Sequence, residues 1–483
     1  MKKIIALFLG FGVLLTSCSN DDDVAPAQPA DVVVQDFMWK AMNTWYFWQD
    51  EVPDLADTRF STDAEYTEFL KSEPDPAAFL EDKLLFNDDR FTFYAEDYEE
   101  LVQSFAGISK SNGLEFGLMY YGDGNDVLGY VRYIVPNSDA STKDIARGDI
   151  FIGVNGQSMT DENYIDLLFG TSDSYTLNMA DIVDSTVIPN DKEVALTKEE
   201  GLVENPVFLT KTFEVNGEKI GYLMYNSFTS NFDEELNNAF GTLKTAGVTD
   251  LVLDLRYNPG GSVNSSRLLA SMIYGTNTDE LYIRQRWNSK IQAEFDPSDL
   301  EDYFANKTGD GTDINTLNLS RVFVLATSSS ASASELVMNG LAPYIDVLHV
   351  GETTTGKNEF SITLVDNASD SYVYNPSTVG KINPQNSWGL QPLVGRNENA
   401  DGFSDYTEGL APDFLLREDV ANLGILGSID EPLLARAIQE ITGIASKARS
   451  VPVSMPVVLL SSSKMFTPIK DNMYLEKPVL FEK

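Results

Sequence analysis

Strand-like and helix-like segments alternate through residues 207–425, and this alternation limits the possible folds more than any other feature of the sequence. The strand-like segments are residues 219–225, 249–255, 321–327 and 346–350. Apolar residues fill both faces of these segments, while the intervening helical segments carry apolar residues at steps of three and four. Parallel strands need helical crossovers and are buried on both faces. The sequence therefore predicts an α/β core with a mostly parallel sheet.

Segments of different character flank this core and predict six regions. Residues 31–104 have helical periodicity with an aromatic stripe, and residues 105–200 contain short β-type runs separated by turn residues. The predicted regions are a signal peptide at 1–18, an acidic linker at 19–30, a small helical N-terminal domain at 31–104, a β-rich domain at 105–200, the α/β core at 201–442 and a C-terminal extension at 443–483. The scattered Ser, Pro and Lys residues of the extension indicate no function.

The composition excludes several classes of function. The chain has one Cys, one His and a formal net charge of −40. A Cys/His zinc site needs about three or four ligands, and nucleic acid or an anionic lipid surface favours a basic protein. We therefore expect no metal or nucleotide cofactor and no nucleic-acid partner. The single imidazole, His349, falls within a predicted buried strand, which favours a structural role over a place in a Ser-His-Asp triad.

The N-terminus has the pattern of a secretory signal. Lys2 and Lys3 precede an apolar run at 4–15, which is too short to span a bilayer comfortably, and Cys18 follows three residues later. The Leu-Thr-Ser-Cys ending resembles the lipobox of bacterial lipoproteins, which implies lipidation of Cys18 and a lipid anchor in the bacterial cell envelope. The acidic residues after Cys18 resemble signals that direct lipoproteins to the outer membrane, on its periplasmic or its surface face. The alternatives are a plain signal peptide with an incidental Cys and a solvated acidic linker.

Two glycine-containing motifs mark the β-rich region. Gly-Leu-Glu-Phe-Gly occupies residues 113–117, and Gly-Asp-Ile-Phe-Ile-Gly-Val-Asn-Gly occupies residues 148–156. This combination resembles a PDZ domain. The resemblance implies a domain that binds an extended peptide or a C-terminus by adding it to a sheet edge.

A Pro-Gly-Gly loop follows the second buried strand and precedes a helix. The segment 254–262 reads Asp-Leu-Arg-Tyr-Asn-Pro-Gly-Gly-Ser. Glycines at 260 and 261 allow the backbone to turn its N–H groups outward, which suits an oxyanion hole or an anion site. A phosphate-binding loop is the alternative, but the Lys-Ser/Thr ending of a P-loop is absent.

A serine loop and a lysine loop follow the next two strands. Ser332 lies at a predicted helix N-terminus, where the helix dipole and backbone N–H groups favour negative charge, although a plain Ser-rich turn is the simpler interpretation. Lys357 follows Gly356 after the strand at 346–350, which returns the chain to the same end of the sheet. To act as a base near neutral pH, this lysine needs its pKa lowered by about three units from about 10.4, and burial supplies shifts of that size.

The three loops together resemble the C-terminal processing (tail-specific) peptidases, a family with a Ser/Lys catalytic pair. The resemblance extends over about residues 105–415, including Gly-Leu-Ala-Pro-Asp at 409–413. It implies an α/β protease core with a β-rich PDZ domain and a small helical N-terminal domain. It implies that the protein hydrolyses extended polypeptides, which enter by their C-termini. The roles that it implies are Ser332 as nucleophile, Lys357 as general base, and the backbone N–H groups of Gly260 or Gly261 and of Ala333 as oxyanion donors.

Two positions depart from the family pattern. Many members have a Gln four residues after the lysine to orient it, and here Ser361 occupies that position. Some members have an Asp eleven residues after the nucleophile, and here Pro343 occupies it. The partner that orients Lys357 is therefore open, with Ser361 as a candidate. Glu335 is expected to support the helix N-terminus rather than to take part in catalysis.

Two other functions compete with peptide hydrolysis. One is a non-catalytic binding protein on the same fold, which the altered positions keep open. The other is a surface glycan-binding lipoprotein that would use Trp39, Trp45 and Trp48 as a stacking platform. Burial of these indoles would dismiss the second alternative.

Overall fold

The computed structural model describes residues 30–122, 124–444, 458–467 and 469–476. The predicted signal peptide, with its lipobox and Cys18, lies outside the described residues. Within the described ranges, no helix is long and apolar enough to cross a membrane.

The N-terminal region is helical, as its periodicity predicts. Its elements are α1 (Val33–Trp45), α2 (Asp63–Leu70), α3 (Pro76–Phe79), β1 (Phe93–Ala95) and α4 (Tyr98–Phe105). Thr62 caps α2 by accepting from the N–H of Glu65. The apolar face of α1 packs into the same hydrophobic cluster as the α/β core. The helices therefore extend the main core rather than enclosing a separate one.

The tryptophans of this region are structural. Trp45 is fully buried, and its Nε1 donates to the carbonyl oxygen of Ser371 at 2.7 Å. Trp39 and Trp48 are half-buried against the same cluster, and Trp39 Nε1 donates to Asp54 O at 2.8 Å. Burial of Trp45 and the packing of the other two indoles against the core argue against the glycan-stacking platform.

The β-rich region forms an antiparallel sheet, a separate two-stranded sheet of β2 and β9, and a short helix. Its elements are β2 (Ile108–Ser111), β3 (Leu114–Tyr120), β4 (Val127–Ile134), β5 (Ile150–Val154), β6 (Gln157–Ser158), α5 (Tyr164–Phe169), β7 (Ser174–Val183), β8 (Thr186–Thr197) and β9 (Glu199–Val203). Strands β3, β4, β5, β7 and β8 are neighbours in that order, and all pair antiparallel. Helix α5 contributes Tyr164 and Leu168 to the cluster beneath this sheet.

The α/β core contains the predicted alternation. Its elements are β10 (Val207–Val215), β11 (Glu218–Tyr225), α6 (Asp233–Ala246), β12 (Asp250–Asp254), β13 (Gly261–Ser262), α7 (Val263–Ile273), β14 (Leu281–Trp287), α8 (Ser289–Glu294), β15 (Glu301–Tyr303), β16 (Arg321–Ala326), α9 (Ala333–Leu341), β17 (Asp346–Gly351), β18 (Glu359–Ser361), β19 (Leu364–Val365), β20 (Gly389–Gln391), β21 (Leu393–Glu398), β22 (Phe414–Leu415) and α10 (Pro432–Thr442). The order of the central sheet is β10-β11-β12-β16-β17-β22, and only β10 is antiparallel to its neighbour. The mostly parallel sheet is thus confirmed.

Helices cover both faces of the central sheet because its strands are apolar on both faces. Leu253 packs in the same cluster as α6, α7 and α9, whereas Val252 packs in the cluster that contains α10. The serine and lysine loops leave the carboxyl ends of β16 and β17, which are adjacent parallel strands. This adjacency brings the two loops together.

The C-terminal extension contributes strands to two sheets. Strand β23 (Val458–Ser462) pairs antiparallel with β3 at the edge of the β-rich sheet. Strand β24 (Met473–Tyr474) lies between β13 and β18 in the second sheet of the core, whose order is β13-β24-β18-β21-β14-β15. The sequence indicated no function for these residues. The tertiary structure places them beside the edge of the β-rich sheet and beside the glycine loop.

Candidate active site

Ser332 lies between β16 and α9 in a strained backbone conformation. Its φ of 66° and ψ of −117° lie in a region that residues other than glycine rarely adopt, and it is fully buried. Its Oγ has no hydrogen-bond partner among the described residues. A strained, buried hydroxyl without a partner is a typical feature of a functional site rather than of a plain turn.

Glu335 joins the serine loop to the lysine loop. Its Oε2 accepts from the backbone N–H of Ser332 at 2.7 Å and from that of Lys357 at 2.9 Å. Its Oε1 accepts from Gly356 N at 2.7 Å and from the Thr354 hydroxyl. Burial raises the pKa of this carboxyl to about 7, while these four donors act in the opposite direction. Glu335 therefore does more than support the helix N-terminus, because one oxygen holds the backbones of both predicted catalytic residues.

Lys357 is fully buried, with its ammonium group above an aromatic ring. Its Nζ lies 4.9 Å from the centroid of Phe91 and donates to Asn472 Oδ1 at 3.4 Å. Burial lowers the pKa of Lys357 below its ordinary value, against the opposing charges of Asp471 and Glu359. The direction of this shift is the one that a lysine base needs.

The glycine loop packs directly against the serine. A Cβ on Gly260 would stand 2.5 Å from Ser332 Cβ, and one on Gly261 would stand 2.2 Å from Phe228 O. Their φ values of 114° and 136° also require glycine. The N–H of Gly260 donates to Asn258 Oδ1 at 2.9 Å, whereas the N–H of Ala333, as the first residue of α9, has no acceptor within its helix.

A buried arginine anchors this loop to the last helix of the core. Arg256 is fully buried and pairs with Asp254 at 2.8 Å, with Glu431 at 2.6 Å and with Glu418 at 3.0 Å. Glu431 is also the N-cap of α10. Burial raises the pKa of Asp254 in spite of Arg256. Asp254 and Arg256 stand together in the sequence, but nothing there indicates the two glutamates.

Ser361 reaches Lys357 only through Asn472. The Ser361 hydroxyl donates to Asn472 Oδ1 at 2.7 Å and accepts from Gln391 Nε2 at 2.9 Å. Asn472 Oδ1 is the same atom that accepts from Lys357 Nζ. Sequence reasoning missed Asn472, because it follows the lysine by 115 positions in a segment without a motif.

The two remaining sequence candidates lie apart from the reacting groups. His349 is buried within β17, as expected, and its Nε2 lies 3.1 Å from Ala326 O in the neighbouring strand. Burial lowers its pKa. Pro343 lies beyond the end of α9, so no side chain from that position replaces the acidic group of other members.

Comparison with known proteins assigns the class. The model of peptidase family S41 matches residues 219–392, and the model of the peptidase S41 N-terminal domain matches residues 33–93. Residues 219–392 therefore form a peptidase family S41 domain, preceded by a peptidase S41 N-terminal domain.

Several named relatives are similar in sequence. The chain is 27% identical over 353 residues to the chloroplastic C-terminal processing peptidase of Tetradesmus obliquus, an alignment that covers 69% of this chain and 66% of that protein. It is 29% identical over 153 residues to a carboxyl-terminal-processing protease of Picosynechococcus, which covers 32% of each. The matched regions thus span from about a third to just under two thirds of these relatives.

Solved structures agree on the fold. A putative S41 protease from Bacteroides fragilis superposes with a TM-score of 0.64 at 25% identity, covering 85% of this chain and 97% of that one. The photosystem II D1 C-terminal processing protease superposes with a TM-score of 0.50 at 22% identity, covering 87% and 99%. The expected α/β core with a helical N-terminal domain is confirmed.

Proposed function

We propose that this chain is a serine endopeptidase in which Ser332 is the nucleophile and Lys357 is the general base. The observation that carries the proposal is the shared Glu335 oxygen, which holds the backbones of both residues at the carboxyl ends of adjacent strands. The partnerless Ser332 hydroxyl and the lowered pKa of Lys357 support it.

In the proposed first step, neutral Lys357 accepts the proton of the Ser332 hydroxyl as its oxygen attacks the peptide carbonyl carbon. The carbonyl oxygen becomes an oxyanion, which one backbone N–H of the pair Gly260 or Gly261 and that of Ala333 stabilise. Lys357 then gives its proton to the departing amine as the C–N bond breaks, which leaves an acyl-enzyme. Water adds to this ester, Lys357 again accepts and returns one proton, and the free carboxylic acid leaves.

Extended polypeptides are the proposed substrates. The β-rich region is the proposed PDZ domain, and the edge of β3, which begins within the motif at 113–117, is its peptide-binding edge. The matched relatives are named carboxyl-terminal-processing proteases, which supports entry of substrates by their C-termini.

A lipid anchor at Cys18 is proposed for the mature protein, in the bacterial cell envelope at the outer membrane. The lone Cys of the chain stands where the lipobox requires it. Cells expressing the protein would be labelled with an alkyne fatty acid. We expect label in the native protein and none in Cys18→Ser, and equal labelling of both would refute the anchor.

The function is tested by single substitutions and an unfolded substrate. Ser332→Ala and Lys357→Ala are expected to abolish hydrolysis of casein and of a peptide with a free C-terminus, with circular dichroism unchanged. The matched controls are Ser328→Ala, an exposed serine of the same loop, and Lys381→Ala, an exposed lysine. Both controls should retain activity. Hydrolysis that survives either catalytic substitution would refute the pair, and a native protein that binds peptide without cleaving it would favour the non-catalytic alternative.

A further inference from the structure

The C-terminal segment adds a strand to the proposed peptide-binding edge. Strand β23 runs antiparallel to β3, with Leu459 opposite Met119 and Ser462 opposite Gly117. The hydroxyl of the next residue, Ser463, accepts from the N–H of Phe116 at 3.0 Å and lies 2.6 Å from Glu115 Oε2. Strand addition at such an edge is how PDZ-type domains hold their ligands.

Apolar side chains of the same segment fill the space between β3 and α5. The ring of Phe466 stacks on Phe169 with centroids 3.9 Å apart and planes at 15°. It also meets Tyr164 of α5 edge-on at 6.1 Å. Leu460 packs against the same cluster. The segment thus pairs with the backbone of β3 and also places its side chains between β3 and α5.

Further along, the segment passes beside the nucleophile. Strand β24 pairs parallel with β13 at Gly261 and with β18 at Ser361. The Asn472 carbonyl oxygen and Ser332 Oγ both lie 2.9 Å from the point where a Cβ on Gly260 would stand. A backbone carbonyl of the segment therefore lies close to the hydroxyl that is proposed to attack such a group.

The same segment binds one member of the proposed catalytic pair. Lys357 Nζ donates to Asn472 Oδ1, and Ser332 Oγ makes no hydrogen bond within the described chain. The proton transfer from serine to lysine needs contact between them. Lys357 instead donates to Asn472.

We propose that residues 458–467 and 469–476 are an intramolecular ligand of the polypeptide-binding path, which a substrate must displace before Ser332 and Lys357 engage. This inference rests on the proposed function and narrows the substrate class. The preferred substrate is an extended segment with an aliphatic residue six positions before an aromatic one, as in Leu460 and Phe466. It continues past residues 113–117 at the start of β3 instead of ending there.

A reversible crosslink in the full chain tests the displacement. Met119→Cys and Leu459→Cys, in a Cys18→Ser background, place two thiols at directly opposed positions, whose Cβ atoms in antiparallel pairs are about 4.5–5.5 Å apart. We expect oxidation to lower casein hydrolysis at least about tenfold and reduction to restore it, because the crosslinked segment cannot leave. Equal hydrolysis in both redox states would overturn the inference.

A binding measurement separates this inference from the proposed function. A fluorescent peptide with the sequence of residues 458–476 would be titrated into the crosslinkable protein carrying Ser332→Ala. We expect binding to the reduced form and at least about tenfold weaker binding to the oxidised form, since both ligands need one path. Identical binding would overturn the inference. Binding as expected, with no hydrolysis by the native protein, would overturn the proposed function alone.

A side-chain substitution provides the opposite perturbation. Phe466→Ala removes the stacked ring and is expected to raise casein hydrolysis several-fold at low substrate concentration, with the change mostly in KM. The matched control is Met465→Ala, because Met465 is exposed beside it. Unchanged or lower hydrolysis in Phe466→Ala would contradict competition between the segment and the substrate.

Discussion

Ser332 combines three properties that rarely occur together in one residue. It is fully buried, its φ is positive, and its hydroxyl has no partner among the described residues. Such a conformation costs about 1–3 kcal/mol and persists where the surroundings enforce it. Here Asn258 and Glu335 enforce it, since the Asn258 carbonyl accepts from Ala331 N and Glu335 accepts from Ser332 N.

The strain predicts opposite effects on stability and activity at this position. Ser332→Gly should raise the free energy of unfolding by about 1 kcal/mol relative to Ser332→Ala, because glycine adopts positive φ without the steric cost. Both variants should lose hydrolysis. Urea denaturation and the casein assay measure the two effects. A glycine variant no more stable than the alanine variant would show that the backbone is not strained.

The buried lysine predicts the pH dependence. Only neutral Lys357 can accept the serine proton, so kcat/KM should rise as pH increases through its pKa, which burial lowers below that of an exposed lysine. Lys357→Arg should lose at least about 10²-fold in kcat, since a guanidinium does not lose its proton. The checks are a pH–rate profile and a single-turnover assay. An ascending limb no lower than the pKa of an ordinary lysine would contradict this.

At the scale of elements, the glycine loop depends on its attachment to α10. The loop leaves β12, and Arg256 ties it to Glu431 at the start of the last helix of the core. Glu418 joins the same group, and its pKa falls to about 2: burial alone would raise it, but Arg147 and Arg256 outweigh burial. The position of the glycine loop is therefore set by helix packing as well as by its own glycines.

Loss of that arginine should be costly. Arg256→Met leaves buried carboxylates without a counter-charge and should lower the free energy of unfolding by about 3–5 kcal/mol. Arg286→Met is the matched control, because Arg286 is exposed in its pair with a half-buried Glu398, and its loss should change stability by less than about 1 kcal/mol. Urea denaturation compares the two. Similar small effects would show that the buried network contributes little.

At the scale of the whole molecule, the N-terminal helices and the α/β core share one hydrophobic cluster. Trp45 of α1 meets Trp287 of β14 with ring centroids 5.9 Å apart, and its indole N–H bonds the core at Ser371. The two regions that composition distinguishes are therefore mechanically joined. The helices therefore pack against the sheet that contains β14 and β18, and β18 ends at Ser361.

This continuity predicts that the two regions unfold together. Trp45→Ala should lower stability by about 3–5 kcal/mol and shift one transition, seen equally by circular dichroism and by loss of hydrolysis. Trp388→Ala serves as a control, because the Trp388 ring stacks on Tyr94 and is only half-buried, whereas Trp45 is fully buried. Two separate transitions in the Trp45 variant would show that the helices fold independently.

Local patterns predicted much of this arrangement. Apolar strands with helical crossovers specified the parallel sheet, and the order of that sheet placed Ser332 and Lys357 on neighbouring loops. The sequence indicated the two glycines of the glycine loop because only glycine tolerates their φ values and close contacts. Glu335 was visible as a helix N-terminal residue, but its bonds to Gly356 and Lys357 were not.

What the sequence determined by itself is the set of features that depend on near neighbours: strand and helix periodicity, the loop motifs and the single Cys and His. What only the tertiary structure decided are pairings across long stretches of chain. Asn472 lies 111 positions along the chain from Ser361 and 115 from Lys357, and Glu431 lies 175 positions from Arg256. Periodicity reports which face of an element is buried, but it carries no information about which distant face covers it. The contact of Asn472 with Lys357 was therefore outside the reach of any local pattern.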